Sequence, residues 1–155
     1  MTRATRTKGM PAATRTVRLL ATLVIIAGGV MLVAGAATWF TVQSQLADER
    51  ITVSEDAERF AGDRIDGPFT AYAEAQVIEK HALEASDGKT YAELDREDPR
   101  RQTVMTGSFL RASLFTSVVS FGVATMAMVL GVLLALIGYT LFLVARQLAG
   151  LAPAA

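Results

Sequence analysis

Cysteine is absent from the 155-residue chain. Its absence excludes disulfides, thiolate metal sites and a thiol lipid anchor. Histidine occurs once, as His81, so one subunit cannot build a metal site that needs two imidazoles. There is no Walker loop, dinucleotide fingerprint or nucleophile–base pair, and no cofactor is expected. The most informative absence is of charge. Between Ala112 and Ala145 lie thirty-four residues without Asp, Glu, Lys, Arg or His. A helix of ~20 apolar residues covers the ~30 Å hydrocarbon layer of a bilayer, so this stretch is long enough to cross one.

The charges that are present are divided sharply. All fifteen acidic residues fall between Asp48 and Asp98, although the chain as a whole is neutral. Residues 1–18 carry Arg3, Arg6, Lys8, Arg15 and Arg18 with no acid. The segment 44–111 has nine basic and fifteen acidic residues, hence a net charge of −6. The N-terminal segment has no apolar periodicity and reads as a disordered basic tail. It contains no aromatic residue on which a base could stack, so nucleic acid is not an expected partner.

Leu19–Phe40 is a second apolar run, of twenty-two residues. Ala34-Gly35-Ala36 has the small-x-small form of a signal-peptide cleavage site. The run is long for a signal peptide, however, and continues through Ala37 to Trp39 and Phe40. A Trp at the end of an apolar run suits a membrane interface, so an uncleaved span is expected. Five basic residues precede this span and Arg146 follows the second. The positive-inside rule then places both termini in the cytoplasm and residues 44–111 outside.

The expected fold is an all-α membrane protein: an antiparallel two-helix transmembrane hairpin with a small, mostly helical extracytoplasmic domain. Its expected segments are a tail over 1–18, a first span over 19–43 and the outer domain over 44–111. A second span with an outer extension covers 112–145, and 146–155 form a cytoplasmic tail. Within 44–111, residues 41–50 continue the first helix, and Ile51-Thr52-Val53 is a short extended piece. Asp66-Gly67-Pro68 breaks the chain and opens a helix reaching about Ala85. Ala71, Ala75, Ile78 and Ala82 share its buried face, and Gln76, Lys80 and Glu84 the opposite one. Asp98-Pro99 reads as the cap and first position of a helix that runs into the second span.

Helices in lipid pair through small residues that let backbones approach. Ala21, Gly28 and Gly35 recur at intervals of seven, as do Ala124, Gly131 and Gly138 in line with Ser117. These are the candidate helix-packing residues. At ~1.5 Å per residue, Gly28 lies ~15 Å from Arg18, and Gly138 ~12 Å from Arg146. The matched depths predict that Gly28 faces Gly138 and Gly35 faces Gly131. Ala127, Gly131 and Ala135 form a further small stripe, suited to self-association. The spans hold no ionisable residue, which argues against a pump or transporter.

His81, Glu84 and Glu74 can share part of one helical face, the one candidate transition-metal group. A histidine making an ordinary hydrogen bond is the simpler reading. Glu55, Asp56, Glu58, Asp63 and Asp66 lack the spacing of a calcium loop. Arg59 and Arg64 among them suit a solvated ion-pair network. No metal ligand is assigned.

Several phrases of the loop resemble a known group: Ile51–Ala57, Gly67–Tyr72, His81–Ala85, Gly88–Arg101 and Ser108–Phe115. Together they resemble a family of small two-span membrane proteins of high-GC Gram-positive bacteria, over roughly residues 20–145. Members often carry the name aromatic ring-opening dioxygenase. Ring opening on non-haem iron typically needs two His and a carboxylate, and this chain has one His. The resemblance therefore implies the architecture and no catalytic residue. The expected function is that of a non-enzymatic accessory, scaffold or partner-binding subunit, with the lipid bilayer, a membrane-protein partner or a second copy as its associates. A sensor coupling the outer domain to the basic tail is the alternative, and a metal-dependent enzyme using His81 a more distant one.

Overall fold

A computed structural model describes residues 12–151. Most of the basic tail and the last four residues lie outside the described range. Three helices make up the described secondary structure: α1 (Ala12–Asp48), α2 (Pro68–Glu84) and α3 (Arg101–Leu151). Residues 12–18, expected in the tail, belong to α1. The Asp98-Pro99 break opens α3 two residues later than Pro99. Both α1 and α3 are long and apolar enough to cross a membrane. The chain divides into two units, one of Met1–Ala34 with Met126–Ala155, the other of Gly35–Thr125.

In the first unit α1 and α3 meet backbone to backbone. A Cβ built on Gly28 would stand 2.6 Å from the Gly131 carbonyl oxygen and 2.8 Å from the Ala135 nitrogen. One built on Gly131 would stand 2.7 Å from the Gly28 oxygen and 2.8 Å from the Leu32 nitrogen. One on Gly138 would meet Ile25 Cγ1 at 2.7 Å and the Ala21 oxygen at 2.9 Å. Position 28 thus opposes 131 while 21 opposes 138, so the two helices run in opposite directions. Around this seam the large side chains point away. Val30 and Val33 are 63% and 69% exposed, and Leu133, Leu136 and Ile137 are exposed as well.

The register differs from the expected one by seven residues, about 10 Å along a helix. The expectation levelled Arg18 with Arg146. Instead the Arg18 guanidinium lies over the Phe142 ring, 5.1 Å from its centroid. Because both small stripes repeat every seven residues, a slip of seven keeps small residue against small residue. Contacts outside the stripes distinguish the two registers, Arg18 over Phe142 among them. Ala135 stands against Gly28, so this part of the four-spaced stripe faces α1 rather than a second copy.

In the second unit α1, α2, α3 and the segment 51–65 enclose a small core. Leu46, Val53, Ile65, Ala71, Ala75, Leu114 and Phe121 are its buried members. Trp39 packs edge-on against Phe121 with ring centroids 4.7 Å apart. Gly35 and Ala124 are also buried here. The segment 51–65 folds back on itself through an antiparallel bridge between Thr52 and Arg64. Val53 donates to Asp63 and Ile65 to Ile51, at 2.8 and 3.1 Å. Arg64 donates to the Ala47 carbonyl at 2.9 Å, which also accepts from the Arg50 N–H at 3.2 Å, and so ties the segment to the C-terminal end of α1.

The ends of α2 follow from its flanking residues. Pro68 occupies its first turn, where no N–H is needed. The Gly67 N–H donates to Thr70 Oγ1 at 3.3 Å. At the other end Asp87 and Gly88 turn left-handed, with φ of 55° and 78°. The Gly88 N–H then reaches back to the Leu83 carbonyl at 2.8 Å, which closes the helix as glycine-terminated caps do. On its inner face Ala71, Ala75 and Val77 are buried, while Ile78 and Ala82 are half-buried.

The seam gives a direct test. Gly131→Leu drives a side chain into the α1 backbone and should destabilise the α1–α3 pair by about 1–3 kcal/mol, the usual range for overpacking. Gly29→Leu should have no such effect, because a Cβ there meets nothing within 4 Å. Reversible unfolding in mixed micelles, followed by circular dichroism, compares the two. Equal stability would remove the seam.

Candidate functional site

The residues singled out from the sequence are distributed as follows. All six helix-packing candidates, Ala21, Gly28, Gly35, Ala124, Gly131 and Gly138, are buried. His81 does not meet Glu74 or Glu84. Its Nε2 lies 2.9 Å from Asp56 Oδ2, and Lys80 Nζ lies 2.9 Å from the same oxygen. Glu74 turns instead to Ser54, accepting from its N–H at 2.7 Å and its hydroxyl at 3.0 Å. Among the described residues no three His, Cys, Asp or Glu side chains come together as a metal site would require. The reason is distance along the helix: Glu74 and His81 share a face but stand two turns, ~10 Å, apart, and each is taken by a different part of 51–65.

Asp56 is thus the hinge of a small charged group on α2. The Lys80 hydrogen bond, followed by that of His81, holds its carboxyl below the usual range. Asp56 in turn raises Lys80. Both side chains are well exposed, so the pair orients the 55–60 loop more than it stabilises the fold.

That loop and α2 form the walls of a groove of about 680 Å³, within the size range of small-molecule sites. Phe60, Phe69, Tyr72, Val77 and Val118 supply apolar walls, with Asp56, Glu58, Arg59 and Lys80 also lining it. Phe60 adopts a left-handed backbone, φ 63°, a conformation that costs a non-glycine residue roughly 1–2 kcal/mol. It closes a turn in which Asp63 N–H donates to the Phe60 carbonyl at 2.8 Å. Sequence reading missed this groove. Phe60 lies on no periodic element and gives no signal of its own.

The way α2 lies on α3 positions the groove. Tyr72 meets Phe115 edge-on at 5.8 Å. Arg111 pairs with Glu79 at 2.8 Å, and Ala82 lies beside Gly107, 3.0 Å from where its Cβ would be. Rising numbers on α2 match falling numbers on α3, so α2 runs antiparallel to it. Arg111 also lies over the Phe115 ring, 5.2 Å from the centroid. Its Nε is buried without a hydrogen-bond partner.

The phrase Gly88–Arg101 forms the opposite flank of this unit. Glu93 accepts from the Thr90 N–H and hydroxyl, each at 2.8 Å. Arg101 stacks on Tyr91, 4.0 Å from the ring centroid, and bonds the Leu94 carbonyl. Asp98 accepts from the Arg100 N–H at 2.9 Å and pairs with its guanidinium at 2.8 Å. Arg100 also reaches Asp87. The charges of Asp98, Arg100 and Arg101 are therefore spent on local order.

Comparison with known families, characterised proteins and solved structures found no match for the chain.

Arg100 holds the Asp98 carboxyl down to about 2, against ~3.9 for a free aspartate. A depressed carboxylate stabilises the fold above its unfolded pKa and ceases to do so as pH falls through its folded pKa. The turn before α3 should therefore be intact at pH 5 and loosen between ~4 and ~2. Chemical-shift titration of the Asp98 carboxyl measures this. In Arg100→Gln the midpoint should return toward the ordinary value.

Proposed function

We propose that the chain is a non-enzymatic two-pass membrane protein that presents residues 44–111 outside the membrane as a binding platform. One observation carries the proposal. The seam between α1 and α3 buries small residues, while Val, Leu and Ile side chains cover the outside of both helices. In water this arrangement exposes the groups that should be hidden. In hydrocarbon it is the expected one, because small residues bring helices together and large apolar ones meet lipid. A cleaved leader would not serve this arrangement, since α1 is half of the seam.

The charge distribution supports the orientation, with the basic tail and Arg146 in the cytoplasm and the acidic segment outside. The platform role follows from what the outer unit offers: a helix laid along a second helix, an open groove and a densely bonded flank. An accessory or scaffold subunit of a membrane assembly uses such a surface.

The absence of native cysteine makes topology directly measurable. Lys89→Cys should react with a membrane-impermeant maleimide in intact cells, and Lys8→Cys only after lysis. The reverse pattern would invert the orientation. Purification in mild detergent with crosslinking should recover a partner or a second copy. A strictly monomeric, partner-free protein would overturn the platform role.

A further inference from the structure

We propose that the groove between the 55–60 loop and α2 opens into the outer leaflet and takes up an acyl chain of a membrane phospholipid. The inference rests on the membrane reading above and goes beyond it by assigning this groove an occupant.

The argument is one of level. α2 lies antiparallel on α3, with Tyr72 at Phe115 and Glu79 at Arg111. Continuing the same register by one turn brings Phe69 to Val118, and both line the groove. Val118 lies within the charge-free run of α3, next to Val119, which is exposed. The N-terminal turn of α2 therefore comes down to where α3 begins to present continuous apolar surface. Trp39 and Phe121 pair near the same stretch of α3, and Phe40 is exposed beside Trp39. Aromatic residues gathered at one level are the mark of a membrane interface.

The exposure of the side chains agrees. Phe69 is 74% exposed and Tyr72 48%, which a water-facing surface would not favour in a contiguous patch. The charges lining the groove are two acids and two bases, with Lys80 already bonded to Asp56. They cancel, so they select no soluble ion. What remains is an apolar wall continuous with the lipid-facing surface of α3. A hydrocarbon chain entering from the leaflet fits that wall, and the charged residues lie at the height of the headgroups.

The single tryptophan allows a clean experiment on the full chain in phospholipid vesicles. Native Trp39 is compared with Phe69→Trp and Glu84→Trp, each made in a Trp39→Phe background; Glu84 is exposed and lies outside the groove. Quenching is read with chain-brominated phosphatidylcholine and with aqueous iodide. The proposal requires Phe69→Trp to lose more than half of its emission to the brominated chains and little to iodide. Glu84→Trp, about four helical turns farther from the membrane, should show the reverse order. If Trp39 is quenched by brominated lipid but Phe69→Trp responds only to iodide, the groove faces water and the proposal fails while the membrane reading stands. If Phe69→Trp answers to neither quencher, a protein surface covers it, and the lipid assignment is again overturned. If Trp39 itself ignores brominated lipid, the membrane reading fails and takes the proposal with it.

Discussion

The closest constraint on this protein is the contact of main chain with main chain at Gly28 and Gly131. Nothing larger than hydrogen fits there. With the backbones this near, dispersion acts over many atoms at once, and no hydrophobic driving force is needed between helices already surrounded by apolar groups. The same closeness excludes large side chains from the seam and sends them outward. A helix pair built this way is ordered by what its interface lacks.

The Gly35–Thr125 unit is held by a different balance. Its buried members are mixed in size, from Ala71 and Ala75 to Ile65 and Phe121. The alanines on α2 permit a close lie along α3, and the aromatic pairs Trp39–Phe121 and Tyr72–Phe115 fill the wider places. Segment 51–65 has almost no regular structure. It is kept in place by bonds to its neighbours: Arg64 to the end of α1, Glu74 to Ser54, and Asp56 to Lys80 and His81. Each ties an irregular stretch to a helix, and together they produce a groove that no single element would form. The buried, unpartnered Nε of Arg111 has no physical account beyond the crowding of Phe115 and Glu79 around it.

Much of the helical content was legible from residue type. Pro68 and the Ser86-Asp87-Gly88 turn bracket α2 because proline suits a first turn and glycine a left-handed stop. Its inner face was readable from Ala71, Ala75, Ile78 and Ala82, although Val77 was missed because it lies at the edge of that stripe. The association of His81 with Glu74 and Glu84 was a false lead. Helical spacing reports which residues share a face, and it says nothing about a loop that arrives to claim one of them. Asp56 arrived for His81 and Ser54 for Glu74.

Sequence alone determined that two stretches are helices suited to lipid, because a run without charge has few other stable environments. It determined the small-residue faces for the same reason: a repeat of seven keeps glycine on one side of a helix. Tertiary structure decided which glycine meets which. A seven-residue repeat is degenerate with respect to slips of seven, and the ambiguity is broken by contacts outside the stripes, such as Trp39 with Phe121 and Arg18 over Phe142. Tertiary structure also decided that Phe60, Phe69, Tyr72 and Val118 share one groove. They come from a loop and two helices, and no pattern local to the chain records their meeting.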